Sequence, residues 1–176
     1  MDKDLLPVSI DSVRVSMVSP HRIVVLKDET ERFLPIWIGP FESDAITIAL
    51  QGNQVARPLT HDLLKSVITE SGATPSYIVV RELRDETFFA SIIMQVDGKT
   101  VEIDARPSDA IALAVRISVP IYVKESVMER AAIRPSQTAE GKVTKEEAEK
   151  LEAFRDLLED LDLDDLGKGE GKVKED

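Results

Sequence analysis

From Val8 to Val18 the apolar side chains fall at positions 8, 10, 13, 15 and 17, the two-residue period of a half-buried strand. The phase slips at Asp11-Ser12, which predicts a bulge or bend. Ile23–Leu26 is a continuous apolar run and reads as a buried strand. The polar stretch Lys27–Arg32 then turns the chain into a third strand, Phe33–Ile38. Gly39-Pro40 breaks that strand, and a helix follows from about Phe41 or Ser43 to Gln51, closed by Gly52. After Pro58 a second helix is expected, with Thr60 as N-cap, Gly72 as stop, and Leu63, Leu64, Val67 and Ile68 on one buried stripe. Strands return over Tyr77–Leu83, Phe88–Val96 and Lys99–Asp104, the last two joined by the hairpin signal Asp97-Gly98. Pro107-Ser108, with the serine as N-cap, opens a helix to about Ser118. A short strand at Pro120–Val123 and one or two helical turns at Ser126–Ala131 complete the pattern.

The pattern contains a repeat. Ser43–Leu50 (SDAITIAL) and Ser108–Val115 (SDAIALAV) share five of eight residues at a constant offset of 65, and Ile38 and Ile103 obey the same offset. Each block follows three strands, so the reading is a duplicated β-β-β-α unit, about residues 8–51 and 75–118. Both repeated helices are apolar nearly all round, which predicts burial on most sides, with their N-termini as neighbours. The expected fold class is α+β: one domain over about residues 5–134, mixed or antiparallel strands around two buried helices. Residues 135–142 read as a polar linker and 167–176 as a disordered tail. Between them, 143–166 reads as an acidic amphipathic helix with a Thr144/Glu147 capping box and a stripe of Leu151, Phe154, Leu158 and Leu161.

Composition narrows the function classes. The net charge of −11 is concentrated at the C-terminus: residues 1–136 hold 19 acids against 15 bases, residues 137–176 hold 14 against 7. A global basic footprint for nucleic acid is therefore missing, although a local patch on the domain is compatible with these numbers. The absence of cysteine excludes disulfides, thiolate metal ligands and thiol nucleophiles. No signal peptide is read at the N-terminus, and the longest apolar run, Ala110–Val115, is too short to span a bilayer, so a cytoplasmic location without membrane contact is expected.

Candidate chemistry gathers at the helix starts. Thr100, Glu102 and Asp104 share one face of a strand, and Asp109 follows just inside the next helix. Glu102, Asp104 and Asp109 suit a hard divalent cation, Mg²⁺ or Mn²⁺, with Asp104 and Asp109 as its ligands; the competing reading has Glu102 in solvent and Asp109 complementing its helix dipole. Glu42 and Asp44 stand at the first repeated helix, where the same dipole accounts for both. In Arg57-Pro58-Leu59-Thr60-His61-Asp62, Arg57 suits bidentate phosphate binding, Thr60 and the free helix N–H groups suit an anion, and His61 suits general acid or base work. Arg106-Pro107-Ser108-Asp109 has the same character. Two converging Arg-Pro segments would form an anion pocket; otherwise each arginine pairs with a nearby carboxylate. Trp37 is expected in the core and His21 exposed in a hairpin. There is no phosphate-binding glycine loop, nucleophile elbow or His-rich metal motif, and at 5% aromatics base-stacking platforms are poor.

Three segments, LPIWIG at 34–39, RPLTHDLL at 57–64 and EIDARPSDAIALAV at 102–115, resemble the bifunctional nuclease domain family, and they occur in the family's order over about residues 8–132. The matching motif positions are Trp37, Gly39, Glu42, Arg57, Pro58, Thr60, His61, Asp104, Arg106, Pro107, Ser108 and Asp109. The resemblance implies a duplicated β3-α fold, self-association in some members, for which a dimer is expected here, and nuclease activity on DNA and RNA as known for plant members. On that reading Arg57, Thr60, Arg106 and Ser108 bind phosphate, Glu42, Asp104 and Asp109 hold a cation or activate water, and His61 protonates the leaving oxygen. A non-catalytic regulatory module that binds an anion or a protein at the same pocket is the alternative, and an assembly protein whose motifs maintain the core is the third reading.

Overall fold

The computed structural model describes residues 4–15, 22–53 and 55–134. Strands β1 (Leu5–Val15), β2 (Arg22–Asp28) and β3 (Phe33–Ile38) form one antiparallel meander; β4 (Thr74–Arg84), β5 (Thr87–Val96) and β6 (Lys99–Ala105) form another. The two are joined into one seven-stranded sheet by β7 (Ile121–Lys124), in the order β3-β2-β1-β7-β4-β5-β6. β7 runs antiparallel to β1 and parallel to β4, and its Ile121 stands opposite Val8 on one side and Ile78 on the other. Four helices complete the α+β architecture: α1 (Pro40–Leu50), α2 (Thr60–Glu70), α3 (Pro107–Ile117) and α4 (Glu125–Ala131). The linker expected at 135–142, the helix at 143–166, the tail at 167–176 and the hairpin residue His21 lie outside the described residues.

Local chemistry explains most element boundaries. The register of β1 against β2 shifts between Ile10 and Ser12, where the hydrophobic phase slips, so that Ile10 and Val13 both pack toward the core. Pro40 and Pro107 occupy first-turn positions of α1 and α3, where a missing N–H costs nothing. The N-caps are therefore the residues before them, Gly39 and Arg106, and Ser108 lies inside α3 rather than capping it. In α2 the N-cap is Leu59, not Thr60; Asp62 reaches back so that its Oδ2 accepts the Leu59 N–H at 2.9 Å. The Asp97-Gly98 turn adopts positive φ at both residues, as that pair favours, and the β4–β5 turn does the same at Asp85 and Glu86 without a glycine.

The core lies between the helices and one face of the sheet. Val24 and Leu26 of β2, Leu34 and Ile36 of β3, Ile78 and Val80 of β4, and Ile92 of β5 meet helix residues Ile46, Ile111, Leu113, Val127 and Met128. α3 is the central helix: Ala110–Ala114 are all at most 1% exposed, and its alanines let β4, β5, α1 and α2 approach closely. α1, expected to be buried nearly all round, buries one side only, at Ser43, Ala45 and Ile46, and leaves Phe41, Asp44 and Leu50 exposed. Trp37, expected in the core, is 56% exposed, because the alternation that sends Leu34 and Ile36 inward sends Trp37 out.

Of the stripe expected on α2, only Ile68 is buried. Leu63 and Val67 are exposed, Leu64 lies on the margin of exposure, and the buried residues are His61 and Ile68. His61 and Ile68 face inward; His61 meets Asp109, and the exposed Lys65 reaches over so that Nζ donates to the Arg116 carbonyl at 3.1 Å.

A second polar cluster joins a turn to a helix start. Arg32 binds the buried Asp28 (Nε to Oδ2, 2.7 Å) and Glu125 (Nη1 to Oε1, 2.8 Å), tying the β2–β3 turn to the start of α4. Burial pushes the Asp28 carboxyl up, but hydrogen bonds from the Arg32 backbone and side chain and from Thr30 outweigh it and hold it below its ordinary value.

Candidate functional site at the helix starts

Three helix starts meet around Asp109. Its position in the first turn of α3 places a carboxylate against the unpaired helix N–H groups. Asp109 Oδ2 accepts from Arg106 Nε at 2.7 Å, and Oδ1 lies 3.1 Å from His61 Nε2 in the first turn of α2. The other arm of Arg106 reaches the first turn of α1, where Nη2 donates to Glu42 Oε1 at 2.7 Å. A chain of polar contacts thus runs Glu42–Arg106–Asp109–His61 across α1, α3 and α2. An ionised carboxylate only accepts, so in this contact His61 Nε2 is the donor.

The electrostatics follow from the geometry. Hydrogen bonds from Arg106 to Asp109 first, and then to Glu42, hold the guanidinium above its ordinary pKa. Glu42 is itself largely covered, with a side chain 15% exposed against 64% for Arg106. Its carboxylate lies directly on Gly39, where an added Cβ would collide with Glu42 Oε2. Gly39 has an ordinary φ of −73°, so glycine is needed there for space and not for conformation. Ser43, one residue on, is buried with no hydrogen-bond partner for its hydroxyl in the described structure.

The sequence candidates separate into two groups. Glu42, Arg106, Asp109 and His61 come together, and the two Arg-Pro segments meet through the His61–Asp109 contact. Arg57 is exposed in the loop before α2 and has no hydrogen-bond or ion-pair partner among the described residues. Thr60 is exposed at the first helical position, whereas Ser108 is buried. Asp104 belongs elsewhere: it pairs with Arg81 Nη2 at 2.6 Å and shares its sheet face with Glu102, which accepts from Ser91. Strand alternation puts that face opposite Val101, Ile103 and Ala105, of which Ala105 packs against the core. Asp104 and Asp109 thus have different partners, and among the described residues no group of three His, Asp or Glu side chains that could hold a metal ion is present.

One participant has no counterpart among the sequence candidates. Arg116, in the last turn of α3, donates to Asp62 Oδ1 at 2.6 Å, next to His61. The available signal was a charged residue closing an otherwise buried helix, which must find partners.

The arrangement defines a class: an α+β protein with a histidine–carboxylate pair, an arginine between two carboxylates and three helix N-termini in one place, equipped for acid–base or anion chemistry. The chain belongs to the bifunctional nuclease domain family, whose model matches residues 24–136. An uncharacterised protein of Mycobacterium tuberculosis is 34% identical over 161 residues, spanning 90% of this chain and 96% of its own length. Bifunctional nuclease 1 and bifunctional nuclease 2 of Arabidopsis thaliana are 33% and 34% identical over 112 residues, 61% of this chain. The matched part is 34% of each of those longer proteins. Among the described residues no helix is long and apolar enough to cross a membrane.

Proposed function

We propose that the chain is a nuclease that hydrolyses phosphodiester bonds of DNA or RNA at the meeting point of α1, α2 and α3. The observation that carries the reading is the His61–Asp109–Arg106–Glu42 chain of contacts, with the plant family members named as nucleases. Arg57 and the first turn of α2, with Thr60 exposed, meet the substrate phosphate. His61, oriented by Asp109, acts in its protonated form and gives a proton to the leaving oxygen as the P–O bond breaks. Arg106 swings from Glu42 toward the phosphate as charge develops there, leaving Glu42 free to accept a proton from water. No step is assigned to a cation; dependence on Mg²⁺ or Mn²⁺ is part of the test.

A second reading, a non-catalytic module that binds an anion or a protein at the same place, is favoured by the exposure of Arg57 and Thr60 beside a His61 that is buried at 8% exposure. Self-association as a dimer and descent of the two β-β-β-α units from one ancestor are further parts of the proposal. Light scattering of the full chain tests the first of these.

The deciding experiment measures cleavage of single- and double-stranded DNA and RNA with Mg²⁺, Mn²⁺ or EDTA. His61→Ala and Asp109→Asn should each lower kcat by about a hundredfold or more, in the range for a general acid–base group. Asp104→Asn should stay within about twofold of the parent, because a group that misses the transition state leaves kcat unchanged. Activity that survives His61→Ala, or that depends on Asp104, would move the site.

A further inference from the structure

α2 carries the histidine, yet little apolar surface holds it down. Ile68 is its one buried hydrophobic residue, and Leu63 and Val67 face outward. Its placement therefore rests on polar contacts at its first turns. The most extensive of these comes from Arg116, whose side chain is only 6% exposed. Nε donates to Asp62 Oδ1 on α2 at 2.6 Å, Nη1 to the Ala112 carbonyl on α3 at 2.8 Å, and Nη2 to the Ala45 carbonyl on α1 at 3.0 Å. A single planar guanidinium thus fixes three helices, a fork geometry that an ammonium group cannot reproduce.

Asp62 is held from two sides. Its Oδ2 takes the Leu59 N–H that closes the start of α2, and its Oδ1 takes Arg116. The Leu59 N–H contributes most to holding the Asp62 carboxyl below its ordinary pKa; burial opposes it, and Arg116 adds to it. His61 is the adjacent residue, so the rotation of α2 that keeps Asp62 on Arg116 also keeps His61 on Asp109.

We infer that Arg116 is a positioning residue: through Asp62 it sets the rotation of α2 and so holds His61 against Asp109. The kinetic arm of this inference rests on the nuclease reading above; the geometric arm does not.

The test uses the full chain with Arg116→Met, Arg116→Lys, Asp62→Asn and the Met/Asn double variant. Imidazole ¹⁵N–¹H spectra report the His61 Nε2–H held by Asp109. The chain has two histidines, so His61→Asn assigns the signal. Arg116→Met and Asp62→Asn should each abolish or shift that signal and lower kcat about ten- to hundredfold, with little change in KM, as displacement of a reacting group by about 1 Å does. The double variant should be no worse than the worse single variant, because both remove the same link. Arg116→Lys should lie between parent and Arg116→Met. A folded Arg116→Met or Asp62→Asn protein with the parental His61 signal overturns the inference, as does simple addition of the two losses in the double variant. If Arg116→Met does not fold, Asp62→Asn, which keeps the side-chain shape but removes the charge and replaces one of the two accepting oxygens with a donor, decides on the same spectrum. If the parent cleaves nothing, the nuclease reading falls and the spectra still decide the role of Arg116.

Discussion

Replacing Gly39 with alanine should separate the integrity of the fold from that of the cluster. At −73° the backbone accepts alanine without strain, and the atom in the way is Oε2, at the free end of the Glu42 side chain. To clear an added methyl group the carboxylate must retreat by on the order of 1 Å. That displacement stretches the 2.7 Å bond from Arg106 Nη2 past hydrogen-bonding range. Arg106 is 64% exposed, so losing this arm costs less than about 1 kcal/mol. Alanine is also a poorer N-cap than glycine by about 0.5–1 kcal/mol. Together they predict a Tm lower by about 2–6 °C for a chain of this size. The cluster should respond more sharply, because the displaced Glu42 carboxylate is the group proposed to take the proton of the attacking water. Cleavage should fall by about tenfold or more, as displacement of a reacting group by about 1 Å does. Thermal unfolding and initial rates on one preparation make the comparison. A Tm loss above 10 °C would show that Gly39 is needed by the fold itself, and an unchanged rate with a modest Tm loss would refute the link from Gly39 through Glu42 to the site.

Other outcomes follow from parts of the structure away from the cluster. Asp28 has a lowered pKa in the folded state, so its contribution is complete above the unfolded carboxyl value near 3.8 and is lost as pH falls through the folded value. Asp28→Asn should cost about 1.5–3 kcal/mol at pH 7 and flatten the acid limb of a stability–pH curve below about pH 4; an acid limb of parental steepness would argue against this role. Glu86→Gly should stabilise by about 1 kcal/mol, since Glu86 holds φ +59° in the β4–β5 turn, and a Tm rise of about 2–4 °C checks it. On α2, Ile68→Ala should cost about 2–4 kcal/mol and Val67→Ser less than about 0.5 kcal/mol in urea unfolding; the reverse order would restore the orientation drawn from the apolar stripe.

What the sequence made legible was governed by local rules. Strand alternation, the phase slip at Asp11-Ser12, the Asp97-Gly98 turn and the prolines at the helix starts each act within a few residues, and the elements they predict are present. Non-local competition escaped such reading. The orientation of α2 goes with contacts to Asp109, the Arg116 carbonyl and the Arg116 side chain, 48, 51 and 54 residues from His61, Lys65 and Asp62, and not with its own leucines. The same limit applies to the site. Glu42, His61, Arg106 and Asp109 were recognisable as residue types at helix starts. Asp104 looked equally suitable, and only the pairing of β6 with β5 places it beside Arg81.

β7 has only four residues, yet among the described residues it is the sole strand that links the two meanders within the sheet. It is also the last strand in the described chain, so a ribosome exposes both meanders before it supplies the piece that joins them. Until Ile121–Lys124 emerges, β1 and β4 each present an open edge with unpaired backbone groups, the kind of template on which chains aggregate. The vulnerable period in this protein's synthesis is therefore the delay between the end of β4 and the arrival of β7, and chains cut short before Ile121 would be left with both edges uncovered.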